Sequence, residues 1–145
     1  MAVAFDKNIG SGTGSMELTV AITVPAGGVA AGNLVVVRTV ADQAVSSVTD
    51  TGSNTYTGIS TATTAGSTIA HHFVALLGTA LAAGNTITVT FAAKANSRIA
   101  ADAWSGVGSA TPVAQNEGSG LSAGSTSGAA TPTATGQLVV GLHAD

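Results

Sequence analysis

The chain contains no cysteine, which excludes disulfide bonds, thiolate metal centres and cysteine nucleophiles and leaves the redox compartment open. Charge is nearly as scarce: 8% of the residues are Asp, Glu, Lys or Arg, against about 25% in a typical globular domain. The cations are Lys7, Arg38, Lys94 and Arg98, too few and too scattered to neutralise a phosphate backbone, and the net charge is −3. Nucleic acid is therefore not an expected partner. Aromatic residues make up 3% of the chain, so the 45% that is apolar consists mostly of Ala and Val. No apolar run approaches the roughly 18 residues of a membrane-spanning helix, and the start Met1-Ala-Val-Ala-Phe-Asp6 lacks the basic and apolar regions of a secretory signal. No membrane is expected as a partner. The expectation is a protein that stays in the cell that makes it, leaves by lysis within a particle, or is a mature fragment.

What is present is one domain's worth of chain, 145 residues, able to bury roughly 68–70% of its unfolded surface without staples. With so little charge, Thr, Ser, Asn and Gly must cover the exterior. Such a surface has little electrostatic protection against association and suits a protein packed against neighbours.

The clearest local signal is period-2 alternation, the mark of a half-buried strand. Ile87, Val89 and Phe91 alternate with Thr86, Thr88 and Thr90, and Ile99, Ala101 and Ala103 line one face of the stretch that ends at Trp104. With Asn96-Ser97 supplying a turn, Thr86 to Val107 is expected to be a hairpin. Leu18, Val20, Ile22 and Val24 alternate in the same way over Met16 to Val24, whereas Leu34 to Val40 reads as a strand buried on both faces for part of its length. Ala2 to Phe5 and Val45 to Thr49 are further short strands, and Thr55-Tyr56-Thr57 resumes the β pattern after the turn Asp50 to Asn54. Ser67 to Leu77 also fits a helical stripe through Ile69, Phe73, Leu76 and Leu77, but its loop connection to the strand at Thr86 favours a strand, as in a meander.

Two stretches read as non-core. The run GSGTGS closes an expected loop from Asp6 to Ser15, so residues 1–15 form an N-terminal arm, and 118–135 is a low-complexity loop or tether. A brief strand is expected at 112–114 and a last one from Gln137 to Leu142. Residues 16–145 are then a single all-β domain, an antiparallel β-sandwich of jelly-roll or immunoglobulin-like strand order.

The segments VSSVTDTGSNTYT at 45–57, LLGTALAAGNTITVTF at 76–91, RIAADAWSGV at 98–107 and GQLVVGLHAD at 136–145 resemble a β-sandwich domain found in phage virion proteins and in bacterial surface or secreted proteins. The resemblance covers about two thirds of the chain and carries over no catalytic residue. It implies a non-enzymatic structural protein of the virion, in a capsid decoration or tail-associated layer, assembled in the host cytoplasm. In that family the strand matching Gln137 to Leu142 is followed by others. The expectation is either an open edge completed by a neighbour, with Gln137, Val139 and Leu142 as interface residues, or continuation of the natural chain past Asp145.

Other features carry chemistry only weakly. Gly120-Leu-Ser122-Ala-Gly124 matches a nucleophile elbow, but Gly/Ser/Thr loop flanks it where a strand and a helix are needed. Adjacent His71 and His72 on a strand point to opposite faces and cannot chelate one ion together, so a zinc site would need one of them with His143 and a carboxylate. Asp50 and Asn54, with Asp42, could offer oxygens to calcium, although an Asx turn explains Asp50 and Asn54 more simply. Tyr56 and Trp104 are expected as core or interface anchors. No cofactor is implied. The expected partners are copies of this chain or other virion proteins; the alternative is an extracellular carbohydrate-binding or adhesive module using Trp104, Tyr56 and a loop calcium.

Overall fold

The computed structural model describes residues 2–63 and 68–108. The expected strands at 112–114 and 137–142, the loop at 118–135, Ser122, His143 and the interface candidates Gln137, Val139 and Leu142 lie outside the described residues.

The architecture is all-β and antiparallel. Among the described residues six strands follow in order: β1 (Ala4–Thr23), β2 (Leu34–Ala41), β3 (Val45–Asp50), β4 (Thr57–Thr63), β5 (Ile69–Leu76) and β6 (Thr86–Ser105). They form one sheet in the order β1-β6-β2-β5-β4, with β3 also paired to β6. Within the stretch expected as a strand from Ser67 to Leu77, Ile69–Leu76 is a strand, as its context suggested. It does not continue a meander into β6, because β2 lies between them.

Two expectations are corrected together. The stretch from Thr86 is not a hairpin but a single strand of 20 residues, and the loop expected over Asp6 to Ser15 is the first half of another strand of 20 residues. β1 and β6 pair along nearly their whole length, from Ala4↔Ser105 to Thr23↔Thr86. On its other side, β6 pairs first with β3, through Phe91 to Ile87, and then with β2, through Ser97 to Trp104. Each long strand therefore has two limbs. The register shifts between Gly14 and Thr19 mark the corner that joins them, as bulges do where a strand must bend.

The glycines explain the bend. Gly10, Gly12 and Gly14 alternate with Ser11, Thr13 and Ser15, so the run has strand periodicity with glycine as its inward residue. A methyl group on Gly10 would lie 3.0 Å from Ile22 Cγ2, one on Gly12 would lie 2.8 Å from Val20 Cγ1, and one on Gly14 would lie 2.7 Å from Val20 Cγ2. The two limbs of β1 thus face each other across a gap too narrow for a side chain on both. Met16 turns the corner with φ of 56°.

At the same corner Asp42 clamps β6. Its carboxylate accepts hydrogen bonds from Asn96 N at 3.0 Å and Asn96 Nδ2 at 2.9 Å, and its own N–H donates to Asn96 O. Asn96 thus serves a bend rather than a hairpin turn.

One apolar cluster joins both limbs: Ile9, Val20, Ile22, Val35, Val37, Ile87, Val89, Phe91, Ile99 and Ala101 all belong to it. The inward residues of β6 are the ones the alternation marks, with Ile87, Val89, Ala101 and Ala103 fully buried. Leu18, expected to share the inward face of Val20 and Ile22, is 48% exposed. It falls in the register shift between Glu17 and Thr19, where alternation breaks.

Candidate functional site

The face of the sheet turned away from this core carries a second, smaller apolar cluster, and it holds the candidate site. Register places Phe5 (β1), Trp104 (β6), Leu34 (β2) and Leu76 (β5) opposite one another in a row across four strands. The centre of the row is covered: Leu34, Val36 and Val74 are buried, with Ile59, Trp104 and Val107 packed against them. Its ends are open. Phe5 is 55% and Leu76 36% exposed, and the Phe5 ring meets Trp104 edge to face with centroids 5.3 Å apart, a geometry that aromatic pairs favour. Trp104 is therefore an anchor of this outer face and not of the main core.

Beside the row lies a charged group that sequence reasoning did not single out. Arg38 Nη2 donates to Asp102 Oδ2, and Asn8 Nδ2 donates to Asp102 Oδ1 at 2.9 Å. Asp102 is 8% exposed, so its charge depends on these partners. The available signal was a single basic residue inside the apolar strand LVVVRTVA and a single acid inside AADAW.

His72 sits across from Arg38 on β5. Burial, then the Arg38 charge, then His71 hold its pKa below the ordinary histidine value. His71 points the other way, stacks on Phe73 at 5.8 Å, and has its pKa lowered by burial. The two histidines thus lie on opposite faces, as the strand period requires. Among the described residues no group of three or more His, Cys, Asp or Glu could hold a metal ion.

Asp50, Asn54 and Tyr56 do come together. Asp50 Oδ1 accepts from Asn54 N at 3.0 Å, and Asp50 Oδ2 accepts from Asn54 Nδ2 and from the Tyr56 hydroxyl, each at 3.0 Å. Asn54 reaches on to Thr79, accepting from its N–H and donating to its carbonyl. This is the Asx turn, extended into a tie between the β3–β4 and β5–β6 connections. Calcium at Asp50 would have to displace these donors, and Asp42 is engaged with Asn96. Tyr56 packs against the main core, and burial, the Asp50 charge and the hydrogen bond raise its phenol pKa far above the usual value.

Comparison with known protein families, curated proteins and solved structures finds no match to this chain.

Proposed function

We propose that the chain is a non-enzymatic structural module that acts by packing against copies of itself or against other proteins of a particle. The observation that carries this reading is the outer row Phe5–Trp104–Leu34–Leu76, whose two ends expose large apolar side chains. Phe5 beside the partly exposed Trp104, and Leu76 at the other end, leave apolar surface on which a second chain can pack, and a chain with 8% charged residues does little to oppose contact between copies. A β-sandwich is the reading that the facing limbs of β1 support. The setting proposed is a phage virion, in a capsid decoration or tail-associated layer assembled in the host cytoplasm; it rests on the sequence resemblance. One row of side chains is less than the roughly 800 Å² per partner of a standard interface, so symmetric repetition would supply the rest through avidity.

Light scattering across a concentration series tests the reading. Growth to a defined oligomer or an open assembly is expected, and a Phe5→Glu, Leu76→Glu variant is expected to remain smaller. A wild type that stays monomeric at all concentrations, alone and with the particle's other proteins, would overturn it.

A further inference from the structure

Among the described residues, the face of the sheet turned toward the core carries three buried polar atoms without a hydrogen bond: Thr39 Oγ1, His71 Nε2 and Ser97 Oγ. Thr39 is 1% and Ser97 6% exposed. They are neighbours in the sheet. Thr39 lies directly opposite His71 in the β2–β5 ladder, and Ser97, opposite Ala41, is one diagonal step from Thr39. All three share the face of Val35, Val37, Ile99 and Phe73, residues of the main core or packed against it.

We propose that this patch is an internal hydration site, in which water bridges the Thr39 hydroxyl and His71 Nε2, with the Ser97 hydroxyl at its margin. Three arguments support it. A buried hydroxyl without a partner is costly enough that native chains rarely keep one, and ordered water is the usual remedy. Directly opposed strand residues have Cβ atoms about 4.5–5.5 Å apart, so the hydroxyl and the ring nitrogen belong to neighbouring side chains that do not bond each other directly. Position 39 continues the inward series Val35, Val37, where valine would have the same shape as threonine and no hydroxyl to satisfy. Burial favours the neutral imidazole at His71, which has one donor and one acceptor nitrogen. Water can both donate and accept, so it matches Nε2 in either tautomer.

The sign of a mutation tests the proposal. If water bridges the pair, Thr39→Val removes one of its partners and lowers the melting temperature. If the hydroxyl is simply orphaned, the same change is neutral or raises it, because valine removes an unsatisfied group at constant shape. His71→Phe keeps a ring for Phe73 to stack on and removes the nitrogen. The expected result is that Thr39→Val costs less in the His71→Phe background than in the wild type, with ordered density within hydrogen-bond reach of both atoms in a high-resolution crystal structure. Strict additivity with an unchanged or raised melting temperature for Thr39→Val, or a dry contact in the crystal, would overturn it. If Thr39→Val does not fold, the crystal structure of the wild type decides alone.

Discussion

Gly12→Ala puts the folded-over course of β1 to a sharp test. A methyl group at this position lies 2.8 Å from Val20 Cγ1 and 3.3 Å from Ile99 Cγ1. Neither neighbour is the loose end of a long side chain, so one limb must move. Overpacking of this kind costs about 1–3 kcal/mol. Against it stands the gain from replacing glycine in the unfolded chain, about 0.4–1 kcal/mol. The net expectation is a loss of about 1–2 kcal/mol. At the scale of a domain of this size that lowers the melting temperature by about 3–8 °C. Urea unfolding followed by circular dichroism measures the free energy directly. Val20→Ala removes the methyl groups that the new side chain strikes. The double variant Gly12→Ala, Val20→Ala should therefore show a favourable coupling of at least about 1 kcal/mol. The refuting result is a Gly12→Ala variant as stable as the wild type or more so, because a glycine in a free loop gains from alanine and touches nothing.

Four further predictions follow from the side-chain geometry. Asp102→Asn leaves Arg38 without its ion partner on the outer face and is expected to cost about 2–4 kcal/mol, below the full range for buried pairs because Arg38 is partly exposed; chemical denaturation checks it. His71 and His72 have depressed folded pKa values. The unfolded chain therefore binds more protons below its histidine pKa of about 6.5, and stability should fall as the pH drops from about 7 toward 5. A denaturation midpoint that is flat over this window would contradict the burial of the two rings. Tyr56 has the opposite linkage: its raised folded pKa keeps the proton on in the fold, so stability should fall as pH rises above about 10, where the unfolded phenol ionises. Absorbance near 295 nm should show no phenolate until unfolding. Adding calcium should leave the melting temperature unchanged, since both oxygens of Asp50 already accept protein donors.

The parts of this fold written in alternating side chains were legible, and the parts written in backbone or in long-range pairing were not. Val45–Asp50 and the two limbs of β6 could be read from alternation because each buries one face, and Leu34–Ala41 from its apolar run because it buries both faces for part of its length. The part of β1 from Asp6 to Gly14 was hidden because Gly10, Gly12 and Gly14 stand at inward positions. Their spacing of two carries the strand signal, but composition suggests a loop. Asn96-Ser97 has turn chemistry, but both residues lie within β6. What no local pattern reveals is whether the flanking limbs pair with each other or, as here, each pairs with a limb of β1. The same limit applied to the site. Tyr56, Asp50 and Asn54 were found because they sit close together in sequence, whereas Asp102 lies 64 residues from Arg38 and 94 from Asn8. The outer row of Phe5, Trp104, Leu34 and Leu76 exists only through register.

The chain's single tryptophan lies in that row, which makes its emission a local reporter of what the row does. The decisive measurement is Trp104 fluorescence and its quenching by acrylamide, recorded alongside molecular mass across the same concentration series. Association through the outer face predicts that emission shifts to the blue and quenching falls as the mass rises. A mass that rises while Trp104 remains equally accessible would place the contact elsewhere and contradict the account, as would a mass that never rises.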